Sequence, residues 1–558
     1  TSNDCATIKY YPNGDTAWVR RYNGASNSMD AAYAIAVDGF GSVYITGFSH
    51  SNETGSDYLT IKYYPDGETA WVRLYNGPSD STDIAYSLTL DRLGNIYVTG
   101  YSFDSLTYYD FVTIKYDSSG NQMWVNRYNG PADSTDIANS IVVDDSGNVY
   151  VTGSSEGGLT YRDYATIKYR PNGNTDWVRR YNGPGNWRDY AYGITLDRSG
   201  NIYVTGKSAG SETSNDYATI KYYPNGDTAW LRRYNGPANL FDDASAVVTD
   251  DYGNVYVGGT SNGIGTNSDY AAIKYDSLGN ELWVRRYDGP GNLDPGNTDD
   301  MFWGIALDDS DNVYVTGWSY GGIGTYTDCA TIKYGTDGSE RWIQRYNGPA
   351  NSDDDGDEIA VDHFGNVYVV GTSYGIGTAS DLTTIKYEQN YPPNSFSLLS
   401  PADSVIIPYV INFSWETSVD PEQLDSVKYD LYVSTSSSFL SDSTIIHDSL
   451  LLREHTDTLE IGRYYWKVWA YDKYTGRWSN QIWTFLSAIR GDIDGDMTLT
   501  VSDAVYLINY LFKNGEEPAP DRTVGDCNCD GQIFINDVIY LINYLFKGGQ
   551  PPGCFIEK

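Results

Sequence analysis

The sequence is poor in cysteine and histidine, has no long apolar run and carries little positive charge, and each shortage removes a class of protein. Five cysteines in 558 residues, Cys5, Cys329, Cys527, Cys529 and Cys554, are too few for a disulfide framework; being odd in number, they leave at least one without an intrachain partner. No stretch of about 18 consecutive apolar residues occurs, so no segment reads as a membrane-spanning helix. Lys and Arg total 37 against 74 Asp and Glu, a formal charge of -37. That balance disfavours nucleic acid and anionic lipid and favours cations and neutral polymers. The four histidines, His50, His363, His447 and His455, share no repeat phase and no metal-ligand spacing, and GxSxG, P-loop and GxGxxG signatures are lacking. Carboxylates are too abundant for the sequence to single out a glycosidase pair. The expectation is a non-catalytic chain. Its first residues, TSNDCATIKY, already read as strand, with neither a basic n-region nor an apolar h-region, so the expectation is a mature product whose signal segment is absent or removed.

What is abundant is repetition. The isoleucines of the TIKY-type motif fall at Ile8, Ile61, Ile114, Ile167, Ile220, Ile273, Ile332 and Ile385, a step of 53 residues with one step of 59. Each period holds four short β-rich runs separated by turn signals: in the second copy DYLTIKY, AWVRLY, IAYSLTL and NIYVTG. Four strands and no room for a helix make one propeller blade. In IAYSLTL, the bulky set Ile84, Tyr86, Leu88 and Leu90 alternates with Ala85, Ser87 and Thr89, which predicts a strand with one bulky face. The 53 tyrosines and the period-locked Trp18, Trp71, Trp124, Trp177, Trp230, Trp283 and Trp342 read as blade packing. The pattern GNVYVTG…DYATIKYD…GN…W resembles the SBBP-type bacterial β-propeller repeat over residues 1–388. The resemblance fixes an expected fold and leaves function open.

Seven blades need twenty-eight strands, and the motifs supply twenty-nine, because the TIKY-type motif occurs eight times. The last blade lacks its Trp strand, which the N-terminal AWVRRY around Trp18 is expected to supply, closing a seven-bladed ring. Asp4–Tyr10 and Asp381–Tyr387 then compete for one slot. The loser either sits on an edge or frays, or it inserts into a neighbouring copy, building a filament by strand complementation.

The longer connections of each period gather on one face of the disc and vary most in sequence. The six additional residues of the long step fall mostly in Gly289–Asp300, an acidic lobe on that face. Asp30, Asp83, Asp136, Asp189, Asp242, Asp300 and Asp354 each precede a turn aspartate by eight residues. They read either as a cation-binding ring at the channel mouth or as caps of their own turns. Lys62 and Arg73, with their equivalents, read as cross-strand partners of the aspartates that open each DYATIKY.

The periodicity ends at a proline linker, residues 389–394. Residues 395–488 carry short strands around Trp415, Trp466, Trp469 and Trp483 and resemble a fibronectin type III or Ig-like β-sandwich, which implies a spacer or weak adhesion module. Residues 489–558 hold GDIDGDMTLTVSDAVYLINYLF and GDCNCDGQIFINDVIYLINYLF, 34 residues apart, each an acidic loop running into an apolar helix. Oxygens at loop positions 1, 3, 5, 7, 9 and 12 suit Ca²⁺. The first loop offers Asp492, Asp494, Asp496, Thr498, Thr500 and Asp503, with Met497 where the turn wants glycine. The second offers Asp526, Asn528, Asp530, Gln532, the position of Phe534 and Asp537, with Gly531 in the turn. The pair resembles a type I dockerin, which implies calcium-dependent docking onto a cohesin through the helix starts. Val501-Ser502 and Ile535-Asn536 stand where many cellulosomal dockerins carry Ser-Thr. Either Cys527 or Cys529 is placed to bond Cys554.

The sequence thus describes a mainly β extracellular or cell-surface protein: a seven-bladed propeller of four-stranded blades, a sandwich and a small helical calcium module. Its expected role is a non-catalytic structural one, with self-association into filaments or a cohesin-like partner. The rival reading is a propeller that binds or degrades polysaccharide and is attached to a cohesin scaffold by its dockerin.

Overall fold

The structure is a computed structural model that describes residues 3–290, 299–321, 326–389, 393–407, 410–419, 427–440, 443–472, 476–496, 498–518 and 522–552. The chain divides into a unit from Thr1 to Tyr387 and another from Glu388 to Lys558. The first consists of six four-stranded antiparallel sheets, one three-stranded sheet and a two-stranded hairpin, the sheets of a propeller.

One sheet explains the rest. Asp136–Val143, Val149–Glu156, Arg162–Tyr169 and Thr175–Tyr181 pair in chain order. The first turn closes on Asp144, whose Oδ1 accepts the N–H groups of Ser146 and Asn148 at 2.9 and 2.8 Å and whose Oδ2 accepts the Tyr150 hydroxyl at 3.1 Å. Gly147 supplies the positive φ, 79°, that the turn requires. Tyr150 is thereby both a buried ring and a turn clamp. The outer strands bond forward to the next sheet: Trp177 Nε1 and Lys168 Nζ donate to the Pro224 carbonyl at 3.2 and 2.9 Å, and Arg179 Nε donates to that of Gly226 at 2.6 Å. Trp177 and Tyr164 share a core with Ile194, Val204 and Ile220 of the following sheet. A single sheet leaves these faces wet, so sheets are stable only in series.

The expected alternation in Ile84–Leu90 is broken by a bulge. The pairing register shifts between Ala85 and Ser87, and at the equivalent place in every first strand. Ala85 and Leu88 are buried, whereas Ile84 and Tyr86 turn toward partial exposure. The extra residue rotates the strand so that its two halves face differently. It also explains the glycine of the VTG motif, since a Cβ at Gly153 would lie 2.0 Å from the Ile137 carbonyl oxygen.

The hairpin differs from the expected ring closure. Thr16–Tyr22 pairs with Cys5–Tyr10, and the last strand, Ser380–Tyr387, has no outer partner strand among the described residues. Pairing across a five-residue turn costs far less loop entropy than pairing across the whole propeller. The hairpin nevertheless sits as a next sheet would, because Lys386 Nζ donates to the Pro12 carbonyl at 3.3 Å just as Lys62 Nζ donates to that of Ser118 at 3.2 Å.

In the second unit, a three-stranded and a larger sheet enclose Ile411, Phe413 and Trp415 from one side and Leu431, Trp466 and Val468 from the other. Two helices follow, α1 (Val501–Lys513) and α2 (Ile535–Lys547). Thr500 caps α1, and both helices end on a left-handed residue, Asn514 or Gly548. Leu486 of the last strand and Ala488 just after it pack on Val524 of the helical part.

Candidate functional site

The tandem loops are organised from their last position. Asp503 accepts the Ile493 and Thr500 N–H groups at 2.6 and 2.8 Å, and Asp537 accepts those of Asn528 and Phe534 at 3.1 and 2.8 Å. Each carboxylate thereby ties its loop's start to a helix's first turn. Burial pushes both acids up from the usual carboxylate range, opposed by these N–H bonds. Asp492, Asp494 and Asp496 each bring an oxygen within 4.8 Å of the others. Asp526 accepts the N–H groups of Asp530 and Gly531 at 3.1 and 3.0 Å, and Gly531 has φ 84°. This set of hard oxygen donors fits Ca²⁺. Thr498 donates its hydroxyl to Asp496 at 2.6 Å, and Asp530 accepts from Gln532 N at 3.0 Å. Met497 lies outside the described residues.

The cysteines resolve unevenly. Cys529 is disulfide-bonded, whereas Cys527 is free and buried, its thiol pushed up to about 12 by burial and then by the Asp537 charge. Cys554 lies outside the described residues. Cys5 and Cys329 are free and buried.

Both helices expose the same apolar face. Val501, Val505 and Phe512 on α1 correspond to Ile535, Ile539 and Phe546 on α2, 34 residues on, and all six are 45–65% exposed. Large apolar residues left in water at matched positions mark a contact surface.

On the propeller, each of the seven aspartates before the turns closes the connection that precedes its strand by accepting a glycine N–H from it. Each is buried at the start of its strand, and none shares a carboxylate cluster with another of the seven among the described residues. Asp189 accepts the Gly183 N–H at 2.7 Å, and Asp30 that of Gly24 at 2.8 Å. Gly183 is needed because a Cβ there would lie 2.1 Å from Ser208 Oγ. Burial, the largest cause, pushes Asp136 and Asp300 up to about 6. Asp300 does meet Asp269 and Asp288, but Arg286 pairs with Asp269 at 2.6 Å and makes that group a structural ion pair. Of the acidic lobe, residues 291–298 lie outside the described residues.

The expected pairing of Lys62 and Arg73 is also corrected. Arg73 Nε donates to the Gly120 carbonyl at 2.6 Å with its guanidinium 5.4 Å over Trp71, and Lys62 lies 5.0 Å over Tyr44. It is the next residue along the strand that takes the aspartate: Arg127 with Asp110, Arg180 with Asp163, Arg233 with Asp216 and Arg345 with Asp328, at 2.7–2.9 Å.

Two features were hidden in the sequence. A cleft of about 420 Å³ opens among the long connections, lined by Trp187, Arg188, Tyr190, Lys207, Asn215 and Phe241. Trp187 and Phe241 are 49% and 61% exposed, and Tyr161 lies 3.9 Å from Trp187, ring to ring. Unlike the seven strand tryptophans, Trp187 breaks the repeat phase, which is the signal that would have found it. The second feature is the approach of His447 to His455, 4.1 Å between ring centroids.

Comparison with known proteins agrees with this anatomy. Residues 70–102, 124–159, 176–211 and 341–377 match the SBBP β-propeller repeat, and residues 490–548 match the dockerin type I domain. The chain contains an SBBP-type propeller region and a C-terminal type I dockerin, a module of a calcium-binding family. A curated relative is the uncharacterized WD repeat-containing protein L264 of Acanthamoeba polyphaga mimivirus, 25% identical over 454 residues, 65% of this chain and 31% of that protein. The chain spans about a third of that relative's length. Similar solved structures include the β-propeller domain of the Trilobed protease from Pyrococcus furiosus, with 9% identity, 64% of this chain, 95% of that chain and TM-score 0.36. Another is the α-L-arabinofuranosidase Arb93A from Fusarium graminearum, with 9% identity, 54% and 92% coverage and TM-score 0.33. Such TM-scores carry no functional argument.

Proposed function

We propose that the chain is an extracellular propeller tethered by its dockerin to a cohesin-bearing partner, with the propeller presenting a neutral polysaccharide-binding cleft. The observation that carries the tethering is the matched apolar face of α1 and α2. In the reading proposed here, Ca²⁺ is held by Asp492, Asp494, Asp496, Thr498, Thr500 and Asp503 in one loop and by Asp526, Asn528, Asp530, Gln532 and Asp537 in the other. Bound there, it neutralises the loop carboxylates and locks the helix starts, while the chain's own side chains make the contact. Capture by an immobilised type I cohesin in Ca²⁺, lost in chelator and in Val505→Asp/Ile539→Asp, tests the tether. Capture unchanged by the double substitution refutes this face. For the cleft, the support is the aromatic ledge of Trp187 and Phe241 beside the polar Lys207 and Asn215, an arrangement suited to sugar rings. Retardation in neutral polysaccharide gels, abolished by Trp187→Ala, is the expected result, and the two-sheet module serves as a fibronectin type III or Ig-like spacer.

A second reading, self-assembly of a non-catalytic scaffold, is favoured by the outer edge of the last strand, which has no partner strand among the described residues, and by the exposed Tyr33, Ile35 and Val37 on the first strand of the first four-stranded sheet. A strand from a second copy suits that edge. Electron microscopy of the full chain and of a deletion of residues 1–10 decides it: filaments lost on deletion support exchange, and isolated particles in both discard it.

A further inference from the structure

The two sheets of the second unit are joined at one edge by a short crossover. Thr444–Leu450 is the edge strand of the larger sheet, and Glu454–Thr458 is the edge strand of the three-stranded one. In an antiparallel pair, residues directly opposite each other project to the same side. His447 opposes the buried Leu431, His455 opposes the buried Phe413, and Asp457 opposes the buried Ile411. All three polar side chains therefore face the space between the sheets at its open rim, where apolar residues are the rule. Each is partly buried.

They also meet. His447 Nε2 lies 2.9 Å from Asp457 Oδ2, and one ligand atom from each of the three lies within 4.8 Å of the others. The His455 side chain makes no hydrogen bond among the described residues, so its ring nitrogens are open to a ligand. Arg453, which lies between His447 and His455 in the sequence, forms no ion pair with Asp457 among the described residues.

We propose that His447, His455 and Asp457 form a binding site for a d-block divalent cation, with Zn²⁺ the fitting ion, that clasps the edge strands of the two sheets. Two imidazoles and a carboxylate are a borderline nitrogen–oxygen donor set, unlike the all-oxygen loops of the dockerin, so the two sites select different ions. Two ligands on a tetrahedral Zn²⁺ at about 2.0–2.2 Å stand roughly 3.3–3.6 Å apart. The His447–Asp457 pair has to open by a few tenths of an ångström and His455 to close by a ring rotation. A fourth position faces the open rim, where water completes the shell. The crossover hides the motif in sequence as His-x7-His-x-Asp.

The test uses the full chain without a histidine tag, in millimolar Ca²⁺ so that the dockerin loops are filled. Titration with Zn²⁺ against a chromophoric chelator is expected to show one site. His455→Ala is expected to weaken that site by at least about tenfold, with the sheet circular dichroism retained. Co²⁺ added to the unsubstituted chain gives a readout that needs no variant: visible ligand-field bands are expected, abolished by one equivalent of Zn²⁺. Failure of the unsubstituted chain to bind Zn²⁺ or develop Co²⁺ bands overturns the proposal. So does equal Zn²⁺ affinity in a His447→Gln/His455→Gln chain; the trio is then a hydrogen-bonded edge clasp alone.

Discussion

Ile35 and Leu88 occupy the same position in consecutive repeats, 53 residues apart, yet Ile35 is 61% exposed and Leu88 8%. Leu88 lies in a core with Tyr44 and Trp71 of the preceding sheet. Before Ile35 stands only the two-stranded hairpin, which lacks the strands that would cover it. Ile35→Asp should therefore change folding stability by no more than about 0.5 kcal/mol, whereas Leu88→Asp should cost more than about 3 kcal/mol by stranding a charge in a core. Urea denaturation of the two variants measures the difference.

The buried arginine–aspartate joints should behave unlike the surface ones. Arg180 and Asp163 are 23% and 7% exposed, and Arg180 also donates to Ser155 and to the Tyr128 hydroxyl of the preceding sheet. Arg180→Ala leaves Asp163 charged and unpaired in the interior, at a cost of about 3 kcal/mol. Arg92→Ala, which breaks a pair with Asp145 that is 80% and 72% exposed, should leave the melting temperature unchanged.

Stability should rise as pH falls from 7 toward 4. Asp136, Asp300 and Asp355 are each pushed up to about 6, chiefly by burial. A carboxyl with a raised folded pKa binds protons more readily folded than unfolded, so its contribution is complete below the unfolded value near 4 and is lost as pH rises through about 6. The turn acids Asp91 and Asp362, held low mainly by N–H and side-chain donors against their burial, act in the opposite sense only below that window. Asp136→Asn, which mimics the neutral form, should flatten the slope between pH 4 and 6 in denaturant titrations.

Calcium removal should unfold the tail and spare the propeller. Chelation is expected to lower helical ellipticity while the β signal persists, because loop carboxylates repel one another without the ion. Asp537→Asn should weaken Ca²⁺ binding at least about tenfold by calorimetry, since it removes charge from the residue that joins loop and helix.

How much of this was readable in the sequence follows from what each feature depends on. Periodicity is local, so the four-strand unit, the turn glycines and the calcium loops could be placed from Ile8 to Ile385 and from Asp492 to Asp537. The bulge beside Tyr86 escaped because one inserted residue reverses a period-two pattern without changing composition. Partner choice escaped too: adjacent strands carry several cations and acids of similar reach, and only the register shows that Arg180, not Arg179, meets Asp163. The His447, His455 and Asp457 grouping depends on a crossover between two sheets, which spacing alone does not reveal.

The forward bonds between sheets lie at a fixed distance along the chain. Trp71, Trp177 and Trp230 each reach a carbonyl 47 residues ahead, and Trp283 reaches one 53 ahead, all at 3.2–3.4 Å, because the six residues added to that step fall between strands. A joint written as a constant offset survives the loss or gain of a whole period. Unequal recombination inside the gene can therefore change the number of copies while leaving every remaining joint intact, so blade number is a heritable variable on which selection can act without first rebuilding an interface.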